Sequence, residues 1–168
     1  MAETIRLDST ALSVANRLAE NRYDSFEHDT FEETAMGKTS FDVHLIGAKA
    51  EVAFSLRYGL IVDMKERLDG DEYDFEATID DERATIDVKA TTYKPAWLQV
   101  RESKTDSDYY VATYLSGADA TEVTIVGWAS RNEVLAGDYI TSPGGGSHRN
   151  YRLWKDEMSE LPNPTLVS

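Results

Sequence analysis

One segment, residues 73–91, constrains the fold more than any other part of the chain. Apolar and polar residues alternate along two runs, and three successive acidic residues at 80–82 separate them. A period of two is the pattern of a β-strand with one buried face, and a polar cluster between two such runs is typical of a turn. We therefore predict a β-hairpin with strands over residues 73–79 and 84–91.

The polar face of this hairpin carries Asp74, Asp87 and Lys89. A two-residue turn places Asp74 directly opposite Asp87, whereas a four-residue turn places it opposite Lys89. In either register the three side chains share one face, with Cβ atoms about 4.5–8 Å apart. The alternation alone leaves both registers open.

Carboxylates and a lysine on one strand face suit the hydrolysis of a phosphodiester. Carboxylate oxygens hold Mg²⁺ or Mn²⁺ and leave other coordination positions for water and a phosphate oxygen. The metal acidifies its bound water and neutralises charge in the transition state. A nearby lysine can orient the water and stabilise the developing charge. The carboxylates keep this lysine protonated, so a role as general base would require the metal to offset them. The alternative is a surface hairpin with a salt-bridged polar face.

A helix upstream of the hairpin supplies a further acidic candidate. We predict one helix capped by Ser9 and a second helix over residues 40–59, which contains Gly47 and Glu51. A glycine inside a helix indicates close packing against another element. Glu51 is flanked by apolar residues, and a buried carboxylate needs a partner, which a metal site on the sheet would supply. The alternative is a solvent-exposed glutamate.

Shorter patterns predict the remaining elements. The motif Ser130-x-x-Glu133 is a capping box that begins a short helix. Residues 141–150 form a glycine-rich loop, and the chain after it returns to the sheet edge. Together these elements indicate an α/β domain, residues 1–168, with a central mixed β-sheet flanked by helices and a core at about 40–140. The other predicted strands cover residues 60–64, 97–100, 109–115 and 123–128.

The order of elements resembles the PD-(D/E)xK, or restriction-endonuclease-like, nuclease superfamily, which includes Holliday-junction resolvases and phage nucleases. The matching features are a helix with G-x-x-x-E, a strand with an aspartate, a turn and a strand reading D-V-K. The resemblance covers roughly residues 40–140 and implies a Mg²⁺-dependent endonuclease acting on DNA. By this resemblance Asp74 and Asp87 bind Mg²⁺ or Mn²⁺, Lys89 serves the attacking water, and Glu51 assists as a catalytic and metal-binding residue. Tyr73 stands where the family often has proline.

The charge of the chain indicates a high-salt environment. The 31 acidic residues outnumber the 17 basic ones and give a net charge of −14. At about 1 M salt the Debye length is only about 3 Å, so the repulsion among carboxylates is screened. We therefore predict a halophilic host or a virus of one; an acidic protein of ordinary salt is the alternative. The net negative charge does not exclude DNA binding, because in molar salt a basic patch would gain little affinity from counterion release.

Other features narrow the cellular setting. With no cysteine, the chain has no disulfide framework and no thiolate zinc site. It has no run of about 20 apolar residues and no signal-peptide pattern at its start, so we predict a cytoplasmic protein without membrane contact. The three histidines, His28, His44 and His148, lack metal-ligand spacing.

Several residues are weaker candidates. Gln99 is a candidate contact for the scissile phosphate, and a surface glutamine is the alternative interpretation. The tryptophans are interpreted as core or rim packing rather than base-stacking platforms: Trp97, Trp128 and Trp154. The basic candidates for phosphate contact are Lys94, Arg101, Lys104, His148 and Arg149.

The sequence is compatible with three functions. The first is the DNA endonuclease, for which a homodimer is the simplest way to cut two strands, although no interface can be identified. The second is a non-catalytic DNA-binding or assembly protein with the same fold. The third is an acidic protein–protein interaction module, for which the hairpin carboxylates only solvate the surface and Asp87→Asn would be tolerated.

Overall fold

The computed structural model of the chain describes residues 2–25, 40–64, 73–141, 149–160 and 163–167. The helices within these ranges are α1 (Ser9–Ser25), α2 (Ser40–Tyr58) and α3 (Arg131–Leu135), with short 3₁₀ turns at Glu102–Lys104 and Lys155–Glu157. The strands are β1 (Glu3–Arg6), β2 (Phe75–Ile79), β3 (Glu82–Thr91), β4 (Trp97–Arg101), β5 (Tyr109–Tyr114), β6 (Glu122–Ser130), β7 (Asp138–Thr141), β8 (Arg149–Trp154) and β9 (Thr165–Leu166).

The strands form two sheets. The larger has six strands in the order β1-β6-β5-β3-β2-β9. It is mixed, because β3 and β5 run parallel while the other neighbouring pairs run antiparallel. The smaller has three antiparallel strands in the order β4-β8-β7. The predicted α/β class with a mixed sheet is therefore confirmed, and the second sheet is an addition to it.

The large sheet has a core on each face. On one face Phe54 of α2 packs with Ile86 and Val88 of β3. On the other face Tyr110 of β5 packs with Leu98 of β4 in the small sheet. Side chains alternate between faces along a strand, so the polar positions of β3 are directed away from α2 and toward the side of the small sheet.

The turn of the β2–β3 hairpin settles the register. Ile79 pairs with Glu82, which leaves Asp80 and Asp81 as a two-residue turn. Both have positive φ, 51° and 64°, as a type I′ turn requires. Aspartate tolerates this left-handed region better than most residues. Of the two predicted registers the structure has the one that places position 74 opposite position 87.

Two of the helices begin at side-chain caps. The backbone N–H of Ala11 donates to Asp8 Oδ1 at 2.8 Å, so Asp8 caps α1 and the predicted cap, Ser9, is wrong by one residue. The capping box at α3 is confirmed, because Ser130 and Glu133 each accept a hydrogen bond from the backbone N–H of the other. A side chain that satisfies free N–H groups in this way fixes where a helix starts.

The end of α2 explains why the predicted strand over residues 60–64 is wrong. Gly59 adopts φ +67°, a common way for a helix to end. Leu60 then donates its N–H to the Ser55 carbonyl oxygen at 3.1 Å, and the Ser55 hydroxyl donates to the Leu60 carbonyl oxygen at 2.6 Å. These polar groups are satisfied by the helix end, and the segment extends along the core without pairing in a sheet.

The other predicted strands are confirmed as β4, β5 and β6. Part of the predicted loop over 141–150 belongs instead to β8, and residues 142–148 lie outside the described residues. The predicted return to the sheet edge is confirmed near the C-terminus, where β9 pairs with β2. The first strand, β1, was not predicted; it pairs with β6 at the opposite edge.

Candidate functional site

The structure brings Asp74, Asp87 and Lys89 together at the hairpin. Asp74 lies just before β2, and its carboxyl shares a hydrogen bond with that of Asp87. Lys89 Nζ lies 2.7 Å from Asp87 Oδ2. The Val88 backbone N–H donates to Asp74 Oδ2 at 2.8 Å and fixes its orientation. Below about pH 7 the Asp74–Asp87 pair holds one proton between its carboxyls, and this is a position that a cation can take.

The acidity of Asp87 is strongly perturbed. Burial raises the pKa of its carboxyl to about 7, and the adjacent charge of Asp74 adds to the rise, while the Lys89 ammonium partly offsets it. The side chain of Asp87 is buried, whereas that of Lys89 is about one third exposed. A buried carboxyl with a raised pKa beside a second carboxyl is typical of functional sites.

We expect Asp87→Asn to stabilise the protein when no divalent metal is present. The pKa of Asp87 is about 7 in the folded state against an ordinary 3.8. The folded state therefore binds more protons than the unfolded state between these pH values, and raising the pH through this window lowers stability. Each pKa unit corresponds to about 1.4 kcal/mol, so the penalty above pH 7 is on the order of a few kcal/mol. Asparagine has no ionisable group, so the substitution removes this penalty.

The measurement is thermal unfolding with chelator across pH. The variant is expected to melt higher than the wild type by about 5 °C or more at alkaline pH. The two proteins should converge at acid pH, where Asp87 is protonated in both states. A variant that melts below the wild type at alkaline pH would show that the ionised Asp87 carboxyl does not destabilise the folded state.

Glu51 is buried on α2 and pairs with Arg22 of α1. Arg22 Nη1 and Nη2 donate to the two Glu51 carboxylate oxygens at 2.6 and 2.7 Å. In the part of the chain that the structure describes, no group of three or more histidine, aspartate or glutamate side chains could hold a metal. The structure therefore does not join Glu51 to Asp74 and Asp87 there, and its predicted assisting role stays a prediction.

Arg22 was not predicted as a site residue, although its spacing in the sequence carries a signal. Ala11, Ala15, Leu18 and Arg22 recur at spacings of four, three and four residues, which places them on one helix face. All four are buried. An arginine that continues an apolar stripe needs a buried carboxylate, and Glu51 is that partner.

A cleft opens beside Lys89, between α2, the end of β3 and β4. Its volume is about 570 Å³. Three basic residues line it, Lys89, Arg101 and Lys104, together with Gln99, and the described lining contains no aspartate or glutamate. Gly47 of α2 also lines it, and an added Cβ there would meet nothing within 4 Å. The predicted close packing at Gly47 is therefore wrong, since the glycine borders open space.

The structure also places several of the remaining basic, tryptophan and histidine candidates. The Lys94 ammonium lies over the Tyr114 ring, 4.8 Å from its centroid, and Arg149 donates to the Tyr139 hydroxyl at 3.2 Å. Trp128 packs against Tyr109 with centroids 4.8 Å apart, as rim packing predicts. His28 and His148 lie outside the described residues.

Comparison of the chain with models of protein families, with curated proteins and with solved structures finds no match. Among the described residues, none of the helices combines the length and the apolar character that crossing a membrane requires.

Proposed function

We propose that the protein is a metal-dependent nuclease of restriction-endonuclease-like architecture that hydrolyses phosphodiester bonds in DNA. The observation that carries the proposal is the hydrogen-bonded pair of Asp74 and Asp87, with Lys89 Nζ 2.7 Å from Asp87, beside a cleft lined by cations. The order of elements, with helix α2 before the hairpin and a mixed sheet around it, supports the same architecture.

The carboxyl pair fits a divalent cation such as Mg²⁺ or Mn²⁺. Magnesium in nucleic-acid enzymes is usually held by one or two carboxylates and keeps several waters and phosphate oxygens. Asp74 and Asp87 would hold it, in place of the proton that they share. When bound, such an ion supplies an acidified water and neutralises charge on the phosphate. Glu51 would assist only if its pairing with Arg22 opened.

The position of Lys89 supports its proposed contact with the reacting phosphate. Its ammonium donates to Asp87, and the same side chain lines the cleft. An ammonium held at this point can donate hydrogen bonds to a phosphate oxygen or to the attacking water. The salt bridge to Asp87 restricts the lysine to the wall of the cleft, so little ordering is needed when a substrate binds.

The test is cleavage of supercoiled plasmid and of a branched DNA junction in high KCl with Mg²⁺ or Mn²⁺. We expect cutting that requires metal, stops with chelator and is lost in Asp87→Asn. Because this variant is expected to be at least as stable as the metal-free wild type, loss of cutting could not be attributed to unfolding. No cutting by the wild type across salts, metals and substrates would overturn the proposed activity.

A non-catalytic DNA-binding or assembly protein is the second candidate. The observation that favours it is the engagement of Glu51 by Arg22, which leaves two carboxyls at the hairpin. This candidate predicts DNA binding without cleavage. An acidic interaction module is less favoured, because a carboxylate that only solvates the surface would not be buried as Asp87 is. A homodimer that cuts both strands remains part of the nuclease proposal.

A further inference from the structure

An aromatic stack forms one wall of the cleft beside Lys89. The rings of Tyr93 and Trp97 are stacked, with centroids 5.4 Å apart and planes inclined by 16°. Trp97 in turn meets the edge of Trp154 at 5.5 Å. Tyr93 and Trp97 both line the cleft, and 37% of Tyr93 is exposed. Exposed aromatic rings of this kind are surfaces on which a nucleobase can stack.

The charge around the stack selects an anionic occupant. The chain carries a net charge of −14, yet Lys89, Arg101 and Lys104 line the cleft and the described lining has no carboxylate. Glu102 does not line it; it accepts a hydrogen bond from the Tyr139 hydroxyl at 2.7 Å. A concave surface lined by one sign of charge concentrates ligands of the opposite sign. A nucleic-acid strand fits this cleft, because its bases can stack on the aromatic rings and its phosphates can pair with the basic residues.

We infer that this cleft binds unpaired nucleotides of a DNA strand, with a base on the Tyr93–Trp97 stack and phosphates at Lys89, Arg101 and Lys104. A volume of about 570 Å³ is that of a small-molecule site, which suits a nucleotide or two and not a double helix. Bases inside a duplex have no free face to stack on aromatic side chains. The inference rests on the proposed nuclease function and deepens it: the preferred substrate is single-stranded, frayed or branched DNA.

The test measures binding without cleavage. Wild-type protein in chelator is titrated into a fluorescently labelled DNA strand of about 12 nucleotides, and separately into a blunt duplex of the same length. Anisotropy gives the affinities, and tryptophan fluorescence reports the stack directly. We expect tighter binding of the single strand and quenching of tryptophan emission on binding.

Matched variants locate the site. Tyr93→Ala should weaken binding of the single strand by about 5- to 150-fold, the effect of losing one stacked base, whereas Tyr93→Phe keeps the ring and should bind as the wild type. Arg101→Ala should weaken binding and reduce its dependence on salt. The control is Arg83→Ala, since Arg83 is an exposed arginine at the far end of β3. It should leave binding unchanged.

The outcomes separate this inference from the proposed function. Binding of single-stranded DNA that depends on Tyr93 and Arg101 supports the inference even if the wild type never cuts. Equal binding of the duplex, or a Tyr93→Ala variant that binds as the wild type, overturns it even if cleavage is observed. Binding confined to RNA of the same sequence overturns it as well, because the occupant would then not be DNA.

Discussion

Lys89→Ala is expected to reduce the rate of metal-dependent DNA cleavage by about 10²- to 10⁴-fold. This is the range for removing a group that donates a hydrogen bond to developing charge or transfers a proton in the transition state. The Lys89 ammonium lies 2.7 Å from Asp87 and lines the cleft, so alanine would remove the cation from the point where a phosphate would sit. Its side chain is about one third exposed, but the change also removes the cation that offsets the charge of buried Asp87, so we expect some loss of stability above pH 7.

The measurement is the single-turnover rate at saturating metal and enzyme, which isolates chemistry from substrate binding. Lys155→Ala is the control, because Lys155 is an exposed lysine that does not line the cleft. Metal binding should be retained in Lys89→Ala, as both carboxyls remain, and stabilisation of the variant by Mg²⁺ would show this. A variant that cleaves at the wild-type rate would remove Lys89 from the proposed site.

Arg22→Ala is expected to destabilise the protein by about 3–5 kcal/mol. The change leaves the Glu51 carboxylate buried without its arginine, and an uncompensated buried charge costs about this much. Arg22 and Glu51 are 7% and 4% exposed, so water cannot easily replace the lost partner. For a chain of this size the melting temperature should fall by about 6–20 °C. Denaturant or thermal unfolding at neutral pH gives the free energy directly.

Two further variants test the cause. Replacing Arg22 and Glu51 together by methionine should recover most of the lost stability, since no buried charge is left. Arg57 and Glu3 are the matched exposed pair: their atoms are as close, 2.6 Å, but both side chains are more than one third exposed. Arg57→Ala should therefore change stability far less than Arg22→Ala. Equal losses at the two arginines would show that burial does not set the cost.

The hairpin and its polar face could be predicted because a strand pattern is local. Alternation over residues 73–91 determines which side chains share a face, and Asp74, Asp87 and Lys89 do lie together. The register could not be predicted in the same way. It depends on whether Asp80 and Asp81 accept positive φ, and two aspartates favour that conformation less strongly than asparagine and glycine would.

The features that could not be predicted depend on contacts between distant segments. The four residues of β1 carry a weak pattern and become a strand only because β6 offers an edge. The small sheet exists because β4 pairs with β8 rather than with a neighbour in sequence. The cleft and its aromatic wall follow from that pairing. Glu51 was correctly placed in an apolar stretch of α2, but its partner lay on α1 rather than on the sheet.

The pairing of β4 with β8 also has a consequence for folding kinetics. The β2–β3 hairpin brings together neighbouring segments, and such local contacts form early and quickly. The wall of the cleft can form only after β8 has folded against β4, because β4 pairs with no other strand within the described residues. β8 lies near the other end of the chain. We therefore expect Asp74 and Asp87 to meet well before the cleft can hold a nucleic acid. A partly folded chain would therefore contain the carboxyl pair but would lack the cleft that binds the substrate.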